Sequence, residues 1–155
     1  MSVPRNVGQL PVYYNRQQGG GSPYIDAEST PLYAFGYGLS YTSFRYSDLK
    51  VRAAGDGFEV SFMVENTGGR EGDEVPQLYL HPRRASVVQP PMQLRHFSRI
   101  HLKAGEHVAV TFFLPESDFK VVTPSLQQVV EPGDFDVMVG SSSDNILLRG
   151  VINIP

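Results

Sequence analysis

Phe58, Val60, Phe62 and Val64 alternate strictly with Glu59, Ser61, Met63 and Glu65. No other feature restricts the fold as much. Side chains repeat every two residues along a strand and every 3.6 along a helix, so this stretch serves a half-buried strand and no helix face. The same alternation returns at Val108, Val110, Phe112 and Leu114, and again at Phe135, Val137 and Val139. Turn residues separate the runs: Gly55-Asp56-Gly57, Asn66-Thr67-Gly68-Gly69, Ala104-Gly105 and Glu131-Pro132-Gly133. Pro132-Gly133 suits a type II turn, since proline presets φ and the glycine tolerates a positive one. The pattern predicts strands over 44–53, 57–66, 74–81, 95–102, 106–114, 134–140 and 145–154. About seven antiparallel strands within about 110 residues define an all-β, immunoglobulin-like sandwich. No helix of useful length and no internal repeat is evident.

The 155 residues suffice for one domain and a short appendage. Net charge is −3 and Lys and Arg are scattered, which argues against nucleic acid as a partner. The longest strongly apolar run, Val108–Leu114, spans seven residues; a membrane helix needs about 20. Residues 1–20 hold no apolar core of the signal-peptide kind, as expected if an export signal has been removed or if Met1 starts inside a longer protein. The absence of cysteine excludes a disulfide framework, thiolate metal sites and a cysteine nucleophile.

Three regions follow. Residues 1–16 form an N-terminal arm in which Val7–Asn15 is expected as one strand, with Pro11 at an edge or bulge. Residues 17–40 begin as a linker around Gly19-Gly20-Gly21-Ser22-Pro23 and end in an aromatic segment. Residues 41–155 are the sandwich. Between 31 and 44 lie Tyr33, Phe35, Tyr37, Tyr41 and Phe44, with Gly36 and Gly38 among them. So many rings and glycines suit irregular backbone that fastens one domain to another. Gly133-Asp134-Phe135 occupies the position of a tyrosine corner without its hydroxyl, so packing alone must hold that corner. Long loops are expected at 82–94 and 115–133, where any binding would reside.

Residues 31–44 resemble a PLYPFGYGLSYTTF-like signature of family 3 glycoside hydrolases, with Ala34 in place of a proline. In that family the signature opens a C-terminal fibronectin type III-like domain. Asn66-Thr67-Gly68 with Gly72–Tyr79 resembles an NTG…GDEVVQLY block, and Gln93–Glu106 an L-x-x-F-x-R-x-x-L-x-x-G-E run. Glu131–Phe135 through Ser143 resembles an EPG-x-F-x-V-x-V-G-x-S-S ending, and Val3–Asn15 the last strand of a preceding α/β sandwich domain. Arg16-Gln17-Gln18-Gly19 and residues 115–130 depart from the pattern. The resemblance implies a fibronectin type III-like fold and a parent enzyme that hydrolyses β-glucosides or β-xylosides with retention, periplasmic or secreted. It also implies that both catalytic carboxylates lie in domains outside this sequence.

Candidate chemistry within the chain is sparse. Ser47-Asp48-Leu49 imitates the family's Ser-Asp-Trp-like nucleophile motif without the tryptophan, and Arg95-His96-Phe97 imitates a Lys-His-Phe substrate triplet from within a strand block. Glu71, Asp73 and Glu74 border a turn, where acids are solvated or cap backbone N–H groups. His81, His96, His101 and His107 lack zinc spacing. No Gly-x-Ser-x-Gly elbow is present. No catalytic residue, cofactor or metal is therefore assigned. Tyr33, Tyr37 and Tyr41 suit burial against neighbouring domains, or stacking on sugar rings; Arg83, Arg84, Arg95 and Arg99 form a solvated surface or a contact patch.

The expectation is an accessory module that docks on the catalytic domains of a parent hydrolase through Tyr33, Phe35, Tyr37, Tyr41 and Phe44. Alternatives are an autonomous carbohydrate-binding module and a cell-surface adhesion module. An unpaired arm strand would also invite self-association by edge pairing or swapping.

Overall fold

The computed structural model describes residues 1–9, 12–15 and 28–155. Two antiparallel sheets face each other. One has the order β1-β2-β7, from Phe44–Ala54, Gly57–Asn66 and His107–Pro115. The other has the order β11-β10-β4-β5, from Ile146–Ile154, Gly133–Gly140, Gln77–Pro82 and Gln93–Phe97. Five of these strands, β1, β2, β7, β10 and β11, match predicted segments closely. Val60, Phe62 and Val64 of β2 and Val110, Phe112 and Leu114 of β7 meet Leu78, Leu80, Phe135, Val137 and Val139 of the opposite sheet. Each such side chain contributes about 1.5–3 kcal/mol on burial. The sheets close tightly where β11 crosses β1: a Cβ on Gly150 would lie 3.1 Å from Leu49.

Two predicted strands are divided. Pro76 has no N–H to donate, and the 74–81 segment splits into β3 (Gly72–Glu74) and β4. The 95–102 segment splits into β5 and β6 (Ile100–Leu102), and β6 leaves its sheet to pair with β3. Ser47-Asp48-Leu49, the nucleophile imitation, is a bulge in β1. Asp48 sits there at φ 55, a left-handed conformation that aspartate tolerates, and Ser47 Oγ donates to Asp48 Oδ2 at 2.9 Å. It is a bulge of backbone on a strand.

The 115–133 segment is more ordered than expected of a loop. A 3-10 turn (Glu116–Phe119) leads into a hairpin of β8 (Lys120–Val122) and β9 (Gln128–Val130). Phe119 anchors it edge-on against Phe135, 5.1 Å away, and Phe58, 5.6 Å away. Packing does hold the corner at Phe135.

The arm also differs from expectation. No strand forms in the described part of Val7–Asn15; Val3 makes a single bridge to Tyr33, and Val7 is 99% exposed. Buried Gln9 gives the physical reason. Its Oε1 accepts from Arg5 N at 2.6 Å, and its Nε2 donates to the carbonyls of Glu28 and Thr30. These bonds fold residues 5–9 into a turn held against Glu28 and Thr30 of the same chain. The linker at 17–27 lies outside the described residues.

Candidate functional site: an aromatic face over a groove

The rings between 31 and 44 divide by backbone position. Phe44 opens β1 and packs against the sandwich core, where period 2 places it with Tyr46. Phe35 turns toward the outer surface of the second sheet. There Tyr14 of the arm stacks on it, with centroids 4.2 Å apart and planes 18° apart, and Tyr14 meets buried Tyr79 edge-on at 6.0 Å. The Tyr14 hydroxyl accepts from Leu94 N at 3.2 Å. These rings add a third layer to the sandwich. Of the five expected docking residues, Phe44 and Phe35 are therefore engaged within the chain, and Tyr33, Tyr37 and Tyr41 stay exposed.

A buried amide fixes this arrangement. Gln77 is 4% exposed; its Nε2 donates to the carbonyls of Gly36 (3.1 Å) and Ser141 (2.5 Å), and its Oε1 accepts from Tyr79 Oη at 2.5 Å. Ser143 N donates to the Phe35 carbonyl at 2.9 Å. Gly36 has φ +79, and a Cβ there would lie 2.1 Å from Gln77 Oε1, so only glycine fits. The segment is thus held at Phe35-Gly36, and the residues after it project outward.

Those residues border a groove of about 760 Å³. Tyr37, Leu39, Tyr41, Val75, Leu94 and Phe97 are among the residues that line it. Tyr41 is 92% and Phe97 66% exposed. Tyr33 and Tyr37 pack together with centroids 4.9 Å apart and planes tilted by 36°.

Acidic residues line the same groove. Asp73 accepts from Arg99 and, at 3.0 Å, from His101 Nδ1; the Arg99 bond first and then His101 hold its carboxyl below the usual range. Glu74 accepts from Tyr46 Oη at 2.7 Å, and burial lifts its carboxyl above the usual range. Burial, with Glu74 adjoining, likewise pushes the Tyr46 phenol far up. Among the described residues no group of three or more His, Cys, Asp or Glu side chains is placed to hold a metal, and no helix is long and apolar enough to cross a membrane. His96, in the substrate-triplet imitation, instead pairs with Asp118 at 2.7 Å and stacks on Phe112, which ties β5 to the 3-10 turn. Arg83 pairs with Asp136, and Ser86 with Glu131, so the 82–94 loop is tethered to the start of β10.

Gln77, Tyr14 and Glu74 carry more of this site than sequence reasoning assigned them. A glutamine and a tyrosine two apart in a strand share a face, and that polar pair amid apolar neighbours was the available signal for a covered outer surface.

A sandwich with this strand order and this pinned aromatic lead-in defines a fibronectin type III-like module. Residues 74–143 match the family model described as "Fibronectin type III-like domain". The chain is 42% identical over 92% of its length to a β-xylosidase from Formosa agariphila, and 39% identical over 94% to the periplasmic β-glucosidase of Salmonella typhimurium. It spans about a fifth of the length of these relatives. A solved β-glucosidase from Erythrobacter marinus superposes with a TM-score of 0.91 at 38% identity, covering 99% of this chain and 21% of that one. Residues 74–143 belong to the fibronectin type III-like domain family, and homologues of the chain as a whole are family 3 β-xylosidases and β-glucosidases.

Proposed function

We propose that this chain is the non-catalytic accessory module of a β-glucoside- or β-xyloside-cleaving hydrolase, and that it braces the catalytic domains by docking through Tyr33, Tyr37 and Tyr41. One observation carries the docking role: large exposed side chains (Tyr37, Leu39, Tyr41, Phe97) converge on one groove, although the chain fixes their backbone with a buried hydrogen-bond network. A monomer gains nothing from displaying apolar surface so firmly, and contiguous exposed apolar patches mark interaction sites. Burying each ring contributes about 1.5–3 kcal/mol. The arm, residues 1–16, and the lead-in, 17–40, then serve as the connection to the preceding α/β domain. The periplasmic β-glucosidase among the relatives supports a periplasmic or secreted setting. The tilt between Tyr33 and Tyr37 provides no flat platform of the kind that stacks on a sugar ring, so docking is favoured over carbohydrate binding.

The test is complementation. The hydrolase is expressed without this module, and the 155-residue chain is supplied in trans. Co-elution and a raised thermal midpoint of the catalytic part are expected. Hydrolysis of an aryl β-glucoside by the chain alone, or retention on a polysaccharide with no affinity for the catalytic part, contradicts the proposal.

A further inference from the structure

The groove is not purely apolar, and its carboxylates are unequally compensated. Asp73 is satisfied by Arg99 and His101, and Glu71 lies 3.8 Å from His101. Glu74 lines the same groove as Val75 and Tyr41. It accepts a hydrogen bond from the neutral Tyr46 hydroxyl, and among the described residues no Lys, Arg or His nitrogen comes within ion-pair distance of it. A half-buried carboxylate beside apolar side chains with no cation paired to it is unfavourable, because desolvation weakens the charged form and the Tyr46 hydrogen bond offsets that only in part. Across an interface, a partner's side chain can supply the opposite charge.

We propose that Glu74 is the ionic anchor of the groove, accepting a lysine or arginine side chain from a segment of the hydrolase's own catalytic region whose apolar neighbours fill the space between Tyr41 and Phe97. This rests on the docking role proposed above. Two observations select that occupant. The charge of the site calls for a cation flanked by apolar side chains, which a neutral sugar does not offer. The relatives extend for about four fifths of their length beyond the aligned part, and covalent attachment gives such a segment a high effective concentration at the groove. The lift of the Glu74 carboxyl by burial agrees with a charge awaiting its partner. Glu74→Gln keeps the shape and an oxygen for the Tyr46 hydroxyl while deleting the charge.

Hydrogen–deuterium exchange of the chain alone and of the full-length hydrolase, each with and without Glu74→Gln, tests the assignment. In the full-length enzyme, peptides covering 37–41, 73–77 and 94–99 are expected to exchange about tenfold more slowly than in the isolated chain. Glu74→Gln is expected to remove most of that protection there, and to leave the isolated chain as stable or more stable. Protection that persists unchanged in Glu74→Gln overturns the anchor and leaves the docking role standing. Equal exchange in both proteins overturns both. Protection that appears in the isolated chain on raising its concentration, or on adding a gluco-oligosaccharide, overturns it in favour of a second copy or a sugar.

Discussion

Gln77 and Gly36 are fitted to each other across a gap that no side chain can share. The Gln77 Nε2 donates to the Gly36 carbonyl at 3.1 Å, and a methyl on Gly36 would sit 2.1 Å from Gln77 Oε1. Because Gln77 also holds Ser141 and Tyr79, this contact fixes the aromatic segment to the sheet.

Gly36→Ala therefore meets both a steric block and an unfavourable φ of +79. It is expected to lower stability by about 1–3 kcal/mol. Gly38→Ala, two residues on, has nothing within 4 Å of its new methyl and is expected to change little. Urea unfolding of both variants checks the contrast.

Asn66 is a second buried polar centre. Its Nδ2 donates to the carbonyls of Arg70 (2.7 Å) and Leu102 (3.0 Å), and its Oδ1 accepts from Thr42 Oγ1 and Gly68 N. Asn66→Ala leaves these groups without partners, and a loss of about 1–3 kcal/mol is expected in the same unfolding measurement. Asn66→Asp aims a carboxylate at two carbonyls, so its defect should be larger at pH 7 than at pH 4.

The alternation made the sandwich legible, since each apolar row predicts one buried face, and β1, β2, β7, β10 and β11 fall where it places them. The divided strands were less visible, because Pro76 acts through a missing N–H while the apolar pattern runs on past it. The hairpin at 120–130 was hidden by Pro124 and by the need for Phe119 to find Phe135, a contact no local pattern records. The aromatic segment announced itself by composition. Which rings it turns inward depended on Tyr14, reached only through tertiary folding. Ser47-Asp48-Leu49 shows the opposite hazard, a motif that is only a bulge.

Glu74 sets a pH dependence of unusual sign. Its folded carboxyl titrates above the ordinary value of 4.5 because burial disfavours the charge. Between that value and the raised one the native state binds more protons than the unfolded state. Stability from this group is thus full below about pH 4.5 and is lost as pH rises through the window. Asp73 and Glu131, both lowered by hydrogen bonds, act oppositely and favour the fold as pH rises. In the isolated chain, the advantage of Glu74→Gln over the native sequence should be absent near pH 4 and grow toward pH 7. Thermal midpoints across that range check it; an advantage independent of pH contradicts it.

The exposed side chains give the most direct test of the central claim. Leu39 and Tyr41 project from the surface, 84% and 92% exposed, so replacing both with serine should change the isolated chain by no more than about 0.5 kcal/mol. Thermal unfolding of the full-length hydrolase bearing the same two replacements is the deciding measurement. A midpoint several degrees below that of the unaltered enzyme is predicted, with the isolated chain unaffected; an unchanged midpoint in the full-length enzyme would contradict the account.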